Sequence, residues 1–535
     1  MKKSFFLLFA LIFLCVSCAS TKKHEVAVPL DYTDEDVINN EISKIRKYKS
    51  EECVRALWRA IILGKTEIID ECLVAVENQI QTCFDQNDYY EALRLIKSLE
   101  SACYDAQKLE SYKITLVELE QKELGSLQNQ NQTNPQTIND CINSTVTVWV
   151  DRGLKVENGV GSMDVVLGSG FFIDKRGYII TNHHVIDAMV DSKYEGYSRL
   201  YVRLPSDMDN KIPAKVVGYD PIMDLALLKV EIVPDFVFEL GSSTDLQVGD
   251  KVSAIGTPIG LEGTLTSGIV SSVERKLMTL GYVFQIDAAV NSGNSGGPLI
   301  DEKQRVQAIV FAGMLQFQGL NFAIPVEFLK QELPLLYKGG EFCHVWIGAY
   351  GRTKKTAGKK SGLEVQYVMP GGAAAFSGLK EGDVILALDG KKINSLEEFQ
   401  FLQLSYQPGT MLVCEYLRDG VQNSAYIYLE KRPQNPLKEV YDCDYIADAF
   451  LPIFGMKLIP ASTLSRKSYK IVKVLNGSSA DELGFSENDP VTLRDTKFLD
   501  EEEYFVAQVS VQRRKKGFLN ISMVLSAPYD SPYYF

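Results

Sequence analysis

The residues best suited to chemistry lie in Asn291-Ser292-Gly293-Asn294-Ser295-Gly296-Gly297-Pro298, where Ser295 is wedged among glycines and small polar residues. Glycine loses the most backbone entropy on ordering, so such a segment is poor material for a helix or strand. It suits a tight loop that presents one hydroxyl while turning several backbone N–H groups toward a common point, as a nucleophile with an oxyanion hole requires. A serine hydroxyl is a weak nucleophile and needs an adjacent base, normally imidazole. The chain has four histidines. His24 is near the N-terminus and His344 opens a later unit, which leaves the pair in Thr181-Asn182-His183-His184-Val185, directly after the apolar run Tyr178-Ile179-Ile180. The carboxylate candidate is Asp224 in Met223-Asp224-Leu225-Ala226-Leu227-Leu228. An acid opening an apolar strand is desolvated and needs a partner, and an imidazole N–H is a natural one. Asp220, before Pro221, reads instead as a turn residue.

The elements that must position these groups are short β-type runs separated by glycine-bearing turns. Examples are Thr145 to Val150, Ser169 to Asp174 and Arg199 to Leu204. The texture persists from residue 141 to about Pro325, ends in a short helix through Leu336, and predicts a barrel or sandwich. Order along the chain is histidine, Asp224, Ser295, the chymotrypsin order. Upstream, residues 35 to about 124 read as helices. Apolar residues recur at helical spacing from Glu51 to Leu63, ending at Gly64, and again from Asn87 to Leu99. No clean 34-residue period runs through them, so the preferred reading is a small helical bundle or spacer rather than a repeat array. Gly125 to Asn139, rich in Gln, Asn and Thr, reads as a linker. Downstream, Pro370 to Ala375 followed by Gly378-Leu379-Lys380-Glu381-Gly382-Asp383 is echoed loosely by Asn476 to Ala480 and Leu483 to Val491, two copies of one small domain with the second eroded.

These segments, with Gly256-Thr257-Pro258-Ile259-Gly260, Leu265 to Val270 and Asp287 to Pro298, resemble the HtrA (DegP/DegS) family of exported serine proteases across residues 141–432. The resemblance weakens over 440–530 and does not extend to 25–140. It implies a multidomain fold: an N-terminal all-α region, a chymotrypsin-like double β-barrel protease domain, and two C-terminal PDZ-like α+β domains, the second degenerate. The expected division is a signal peptide at 1–17, helices at 25–124, a linker at 125–140, the protease at 141–338, and PDZ units at 343–432 and 440–530. By that likeness His184, the histidine before valine, is the base. Asp224 orients it, Ser295 is the nucleophile, and the backbone N–H groups of Gly293, Asn294 and Ser295 form the oxyanion hole. Val290 and Phe311 are candidates for lining an apolar S1 pocket. Trp346-Ile347-Gly348-Ala349 resembles a PDZ carboxylate-binding loop, which holds a peptide C-terminus while the peptide adds a strand to the sheet. In the second copy Asp489-Pro490 replaces glycine-aspartate and proline removes a donor, so a PDZ-like fold with doubtful peptide binding is expected there. The short segment from Asp151 to Leu167 is closer to regulatory, membrane-anchored proteases than to large cages. The implied partners are unfolded polypeptides, C-terminal peptides at the first PDZ unit, and further copies in a homotrimer or higher oligomer. The competing reading is a non-enzymatic PDZ scaffold or chaperone.

Composition narrows the partners. With 535 residues the chain exceeds one core and should form about three or four domains. A net charge of −13 argues against nucleic acid. Lys2 and Lys3, the apolar stretch Phe5 to Val16 and Ser17-Cys18 read as an export signal. It resembles a lipoprotein signal in which Cys18 becomes the lipidated first residue and anchors the protein to a membrane of the cell envelope. An ordinary cleaved signal with a chance cysteine is the plainer alternative, since Cys15 stands where leucine is usual. Of the ten cysteines, Cys15 and Cys18 belong to the signal, and the other eight contain no CxxC pair, so there is no metal or redox motif in the rest of the chain and no cofactor is expected. Most read as small buried hydrophobes, with a disulfide among Cys53, Cys72, Cys83 and Cys103 left open.

Overall fold

A computed structural model describes residues 33–102, 104–123, 133–157, 160–191, 194, 196–257, 263–277, 280–291, 293–313, 320–461, 467–514 and 518–535. The expected signal peptide, Cys18, Cys103 and the first half of the expected linker lie outside these residues.

Among the described residues the first five helices are Glu35–Glu51, Cys53–Leu63, Thr66–Gln86, Tyr89–Ser101 and Ala106–Glu123. Their ends follow local chemistry. Gly64 closes the second in the left-handed conformation, and Asn87 does the same for the third. The Asp88 side chain then caps the fourth by accepting from the Glu91 N–H. The helices are not a free spacer. Trp58 is buried, its indole N–H donates to the Tyr426 carbonyl at 2.9 Å, and its ring packs on Phe376 and Tyr428 with centroids at 4.6 and 5.4 Å. Ser98 Oγ accepts from the Met411 N–H at 3.1 Å, and Arg55 pairs with Glu430 at 2.6 Å. One apolar cluster runs from the helices into Ala373, Phe376, Met411 and Tyr428 of the domain that follows the barrels in the chain. An apolar stripe shows that a helix face is buried but not against what, which is why the sequence left a spacer open.

Two six-stranded barrels follow. The first comprises Thr145–Glu157, Val160–Asp174, Tyr178–Thr181, Arg199–Leu204, Asp207–Asp220 and Leu225–Val230, closed by pairing between the last two. The second is a closed barrel of Lys251–Gly256, Thr264–Arg275, Val283–Ile286, Pro298–Ile300, Val306–Gly313 and Asn321–Pro325. Alternating burial fills each interior with valine, isoleucine and leucine. A further cluster holding Phe171, Ile180, Leu225, Ile255, Ile309 and Phe328 includes residues of both barrels and of the closing helix Val326–Lys338. The segment after Asp151 is a β-ribbon: Leu154 pairs with Met163, and both are largely exposed.

The next domain has a sheet in the order Ala349–Thr356, Lys359–Val368, Val384–Leu388, Met411–Arg418, Val421–Tyr428, with the helix Leu396–Gln403 packed on it. Ser395 caps that helix, as the Ser395/Glu398 spacing suggests. Separately, Pro436–Cys443 and Ile446–Phe454 precede a five-stranded sheet of Met456–Pro460, Ser468–Val474, Pro490–Leu499, Tyr504–Arg514 and Phe518–Pro528. Pro490 pairs with Lys470 at the first residue of its strand, a position that tolerates a missing donor. Every cysteine among the described residues is a free thiol, and Cys53, Cys72, Cys83, Cys141 and Cys414 are buried.

Candidate active site

His184 is placed by the strand Tyr178–Thr181 and the short helix His183–Val190 that follows it. Val185 and Ile186 sink into the first-barrel core and fix the helix, leaving the His184 side chain half exposed. Its Nδ1 lies 2.7 Å from Asp224 Oδ2, and its backbone N–H donates to Asp224 Oδ1 at 2.8 Å. Both carboxylate oxygens thus hold one residue, which sets the ring's angle and tautomer. Asp224 ends a tight turn with φ of 54°, a left-handed conformation that aspartate tolerates better than most residues. Asn182 Nδ2 secures the same turn by donating to the Asp224 carbonyl at 2.8 Å. Burial opposes the imidazolium of His184, but the hydrogen bond and charge of Asp224, with the charge of Asp187, outweigh it and raise its pKa above the ordinary histidine value. His183 faces elsewhere: its ring stacks on Tyr219 at 5.5 Å, and burial pushes its pKa down.

The Ser295 loop admits little but glycine. A Cβ on Gly296 would stand 2.2 Å from the Ser169 carbonyl oxygen, and one on Gly297 would stand 2.1 Å from that of Ile255. Ser169, buried on the strand Val160–Asp174, clamps the loop from two sides. Its N–H donates to the Ser295 carbonyl at 2.7 Å, and its Oγ donates to the Gly293 carbonyl at 2.6 Å while accepting from the Thr257 N–H at 3.0 Å. The Asn294 N–H is spent inside the loop on the Asn291 carbonyl at 3.0 Å. Among the described residues the N–H groups of Gly293 and Ser295 make no hydrogen bond, which reduces the expected three-donor hole to two candidates.

Ser295 Oγ donates to the Phe311 carbonyl at 3.3 Å, and among the described residues no hydrogen bond joins it to His184. Val290 packs in the second-barrel core, whereas Phe311 lies against the cluster shared by both barrels. The expected peptide loop is built from Trp346, Ile347, Gly348 and Ala349, with Gly348 at φ of 78° and the Ile347 carbonyl accepting from the Ala374 N–H at 2.7 Å. Among the described residues no cluster of three or more His, Cys, Asp or Glu could hold a metal ion.

Two features escaped the sequence reading. Ser169 carries no signature beyond a glycine neighbour. Asp220 is the turn acid expected, accepting from the Ile222 and Met223 N–H groups at 2.8 and 3.2 Å, but its other oxygen lies 2.7 Å from Nε2 of buried His344. Fully buried Glu332 sits beside them, and burial with the neighbouring charge of Asp220 drives its carboxyl well above the usual range.

Known proteins agree with this architecture. Residues 168–309 match the trypsin-like peptidase domain family, 350–429 the PDZ domain family and 437–529 the TP0546 family PDZ domain. Residues 36–120 match a domain family of unknown function. The chain is 39% identical over 280 residues to a probable periplasmic serine endoprotease DegP-like from Pseudomonas fulva, covering 50% of this chain and 56% of that protein. It is 33% identical over 347 residues to the corresponding protein of a Marinomonas species, covering 62% of this chain and 71% of that one. The chain thus spans a little over half the length of several curated relatives it matches. A solved HtrA-type protease, AlgW with a decapeptide, is 25% identical, with 56% of this chain and 98% of that one covered at a TM-score of 0.46. With a His–Asp pair, a glycine-locked serine and PDZ-family segments following in the chain, and with a DegP-like relative covered over 71% of its length, the chain belongs to the HtrA family of DegP-like, trypsin-like serine endoproteases.

Proposed function

We propose that this chain is a serine endopeptidase of the bacterial cell envelope that cleaves misfolded or regulatory exported proteins. The observation that carries this reading is the double contact of Asp224 with His184 beside a loop whose glycines leave Ser295 and two N–H groups presented together. In the reaction Ser295 Oγ bonds to the peptide carbonyl carbon while His184 takes its proton. The oxyanion is held by the Gly293 and Ser295 N–H groups. The C–N bond breaks as His184 protonates the leaving amine, and water then releases the acyl group by the same steps in reverse roles. The bond from Ser295 to the Phe311 carbonyl supports a resting arrangement that the hydroxyl must leave to reach His184.

The PDZ unit would take C-terminal peptides, and the periplasmic assignment of the relatives supports a periplasmic site of action. Anchoring through Cys18 and assembly as a homotrimer or larger oligomer belong to this proposal on the strength of the sequence resemblance. Proteolysis of an unfolded casein-type substrate by the wild type and Ser295→Ala tests the reading. Loss of cleavage in the variant, with fluorophosphonate labelling of Ser295 in the wild type, is expected. Equal behaviour of the two proteins would favour the non-enzymatic scaffold.

A further inference from the structure

The groove of the first PDZ unit is filled by this chain. We propose that Ser531-Pro532-Tyr533-Tyr534-Phe535 is a built-in ligand of that groove, an internal plug with which any outside peptide must compete. The proposal rests on the PDZ assignment and not on proteolysis.

The segment lies antiparallel along Ala349–Thr356 as an added strand. Phe535 N–H donates to the Ala349 carbonyl at 2.9 Å, Ala349 N–H donates to the Phe535 oxygen at 3.0 Å, and Gly351 N–H donates to the Tyr533 carbonyl at 3.1 Å. Tyr350 bridges to Tyr534 between them. This is strand addition on the loop whose sequence predicted it, with main-chain bonds giving affinity and pockets giving specificity. The pocket here is aromatic. The Phe535 side chain is fully buried in the PDZ core, edge-on to Phe399 at 4.9 Å. Gly351 leaves it room: a Cβ there would lie 3.0 Å from the Phe535 ring.

Side chains of the domain are arranged for this occupant. Arg432, almost wholly buried, binds Asp530 through Nε and Nη2 at 3.2 and 2.7 Å and the Tyr534 carbonyl through Nη1 at 3.0 Å. Its guanidinium stands 5.4 Å from the Trp346 ring, and that of Arg352 stands 4.4 Å from the Tyr533 ring. Gln400, on the groove helix, donates from Nε2 to the Pro532 carbonyl at 2.7 Å. A buried arginine held by Asp530 would lose its partner if the segment left, so the plug is built into the domain rather than resting on it. Tethering raises the local concentration of such a ligand to the order of millimolar for a short link. A competitor must therefore present a similar aromatic end, or be abundant.

The test is fluorescence polarisation of a labelled Ser-Pro-Tyr-Tyr-Phe peptide with the full chain and with Phe535→Asp. We expect the variant to bind at least tenfold more tightly than the wild type, because its own segment no longer competes. Affinities within twofold of each other would overturn the plug. Hydrogen exchange of the wild type covers the case in which the variant does not fold. Slowed exchange across residues 533–535 that accelerates when excess pentapeptide is added supports the proposal. Exchange there at the rate of an unstructured peptide refutes it.

Discussion

Gln400 Oε1 accepts a hydrogen bond from the Gly281 backbone N–H at 3.4 Å, so one side chain of the PDZ groove helix touches both the groove's occupant and the second barrel. The contact has company: Phe401 packs edge-on to Phe328 at 5.7 Å, and Glu397 pairs with Lys276. What fills the groove is therefore mechanically adjacent to the protease domain. Excess pentapeptide should change the rate at which a fluorophosphonate labels Ser295 by several-fold in the wild type. In Gln400→Ala the same peptide should bind but leave the labelling rate within twofold.

The raised pKa of His184 sets the acid side of the activity profile. The base must be neutral, so activity should fall on acidification through a midpoint above the ordinary histidine value of about 6.5. Asp224→Asn removes the main stabiliser of the imidazolium. It should cut kcat/KM by roughly 10⁴ and move the limb to lower pH, readable from pH profiles of peptide hydrolysis.

Ser169 never meets substrate in this arrangement, yet it holds the loop that does. Ser169→Ala leaves the Gly293 carbonyl and the Thr257 N–H without their buried partner. Losing such a pair costs about 1–3 kcal/mol, so fluorophosphonate labelling should slow by roughly 5- to 150-fold with the circular dichroism unchanged. Restoration by Thr at this site, but not by Val, would identify the hydroxyl as the positioning group.

Glu332 gives a stability test with a defined sign. Its folded pKa lies above its unfolded one, so it stabilises most below the unfolded value of about 4.3, and that contribution is lost as pH rises toward the folded pKa. Glu332→Gln keeps the shape without the proton. The variant should melt above the wild type at pH 8, and the gap should narrow as pH falls and close only below about pH 4. Melting curves at both pH values decide it, and an unchanged gap would place the cost elsewhere.

The candidate site was legible because its signals are local. A strand end before a histidine pair, an acid opening an apolar run and a glycine-locked serine each carry their chemistry in a few neighbours. The His184 assignment needed the family likeness, and the Asp224 contact now supplies the geometry. Ser169 was unreadable because its role depends on two carbonyls and an N–H brought in from other segments. Val290 stands close to the serine loop in sequence, and its side chain packs with the second-barrel core, a neighbourhood that no local pattern specifies. The docking of the helices was hidden for a related reason, since the Trp58 partners Phe376, Tyr426 and Tyr428 lie far along the chain.

That docking has a bearing on wear. The face of the PDZ sheet under Trp58 is aromatic, and it is covered by helices that precede the protease in the chain. A cut between residues 124 and 132 would leave the barrels and the active site chemically whole while the cover stays on through packing alone. Loss of that cover would bare Phe376 and Tyr428 together with Trp58, a sticky patch of the kind that quality-control machinery itself recognises. The chain thus carries, under its own helices, an aromatic patch whose exposure would report the loss of their docking.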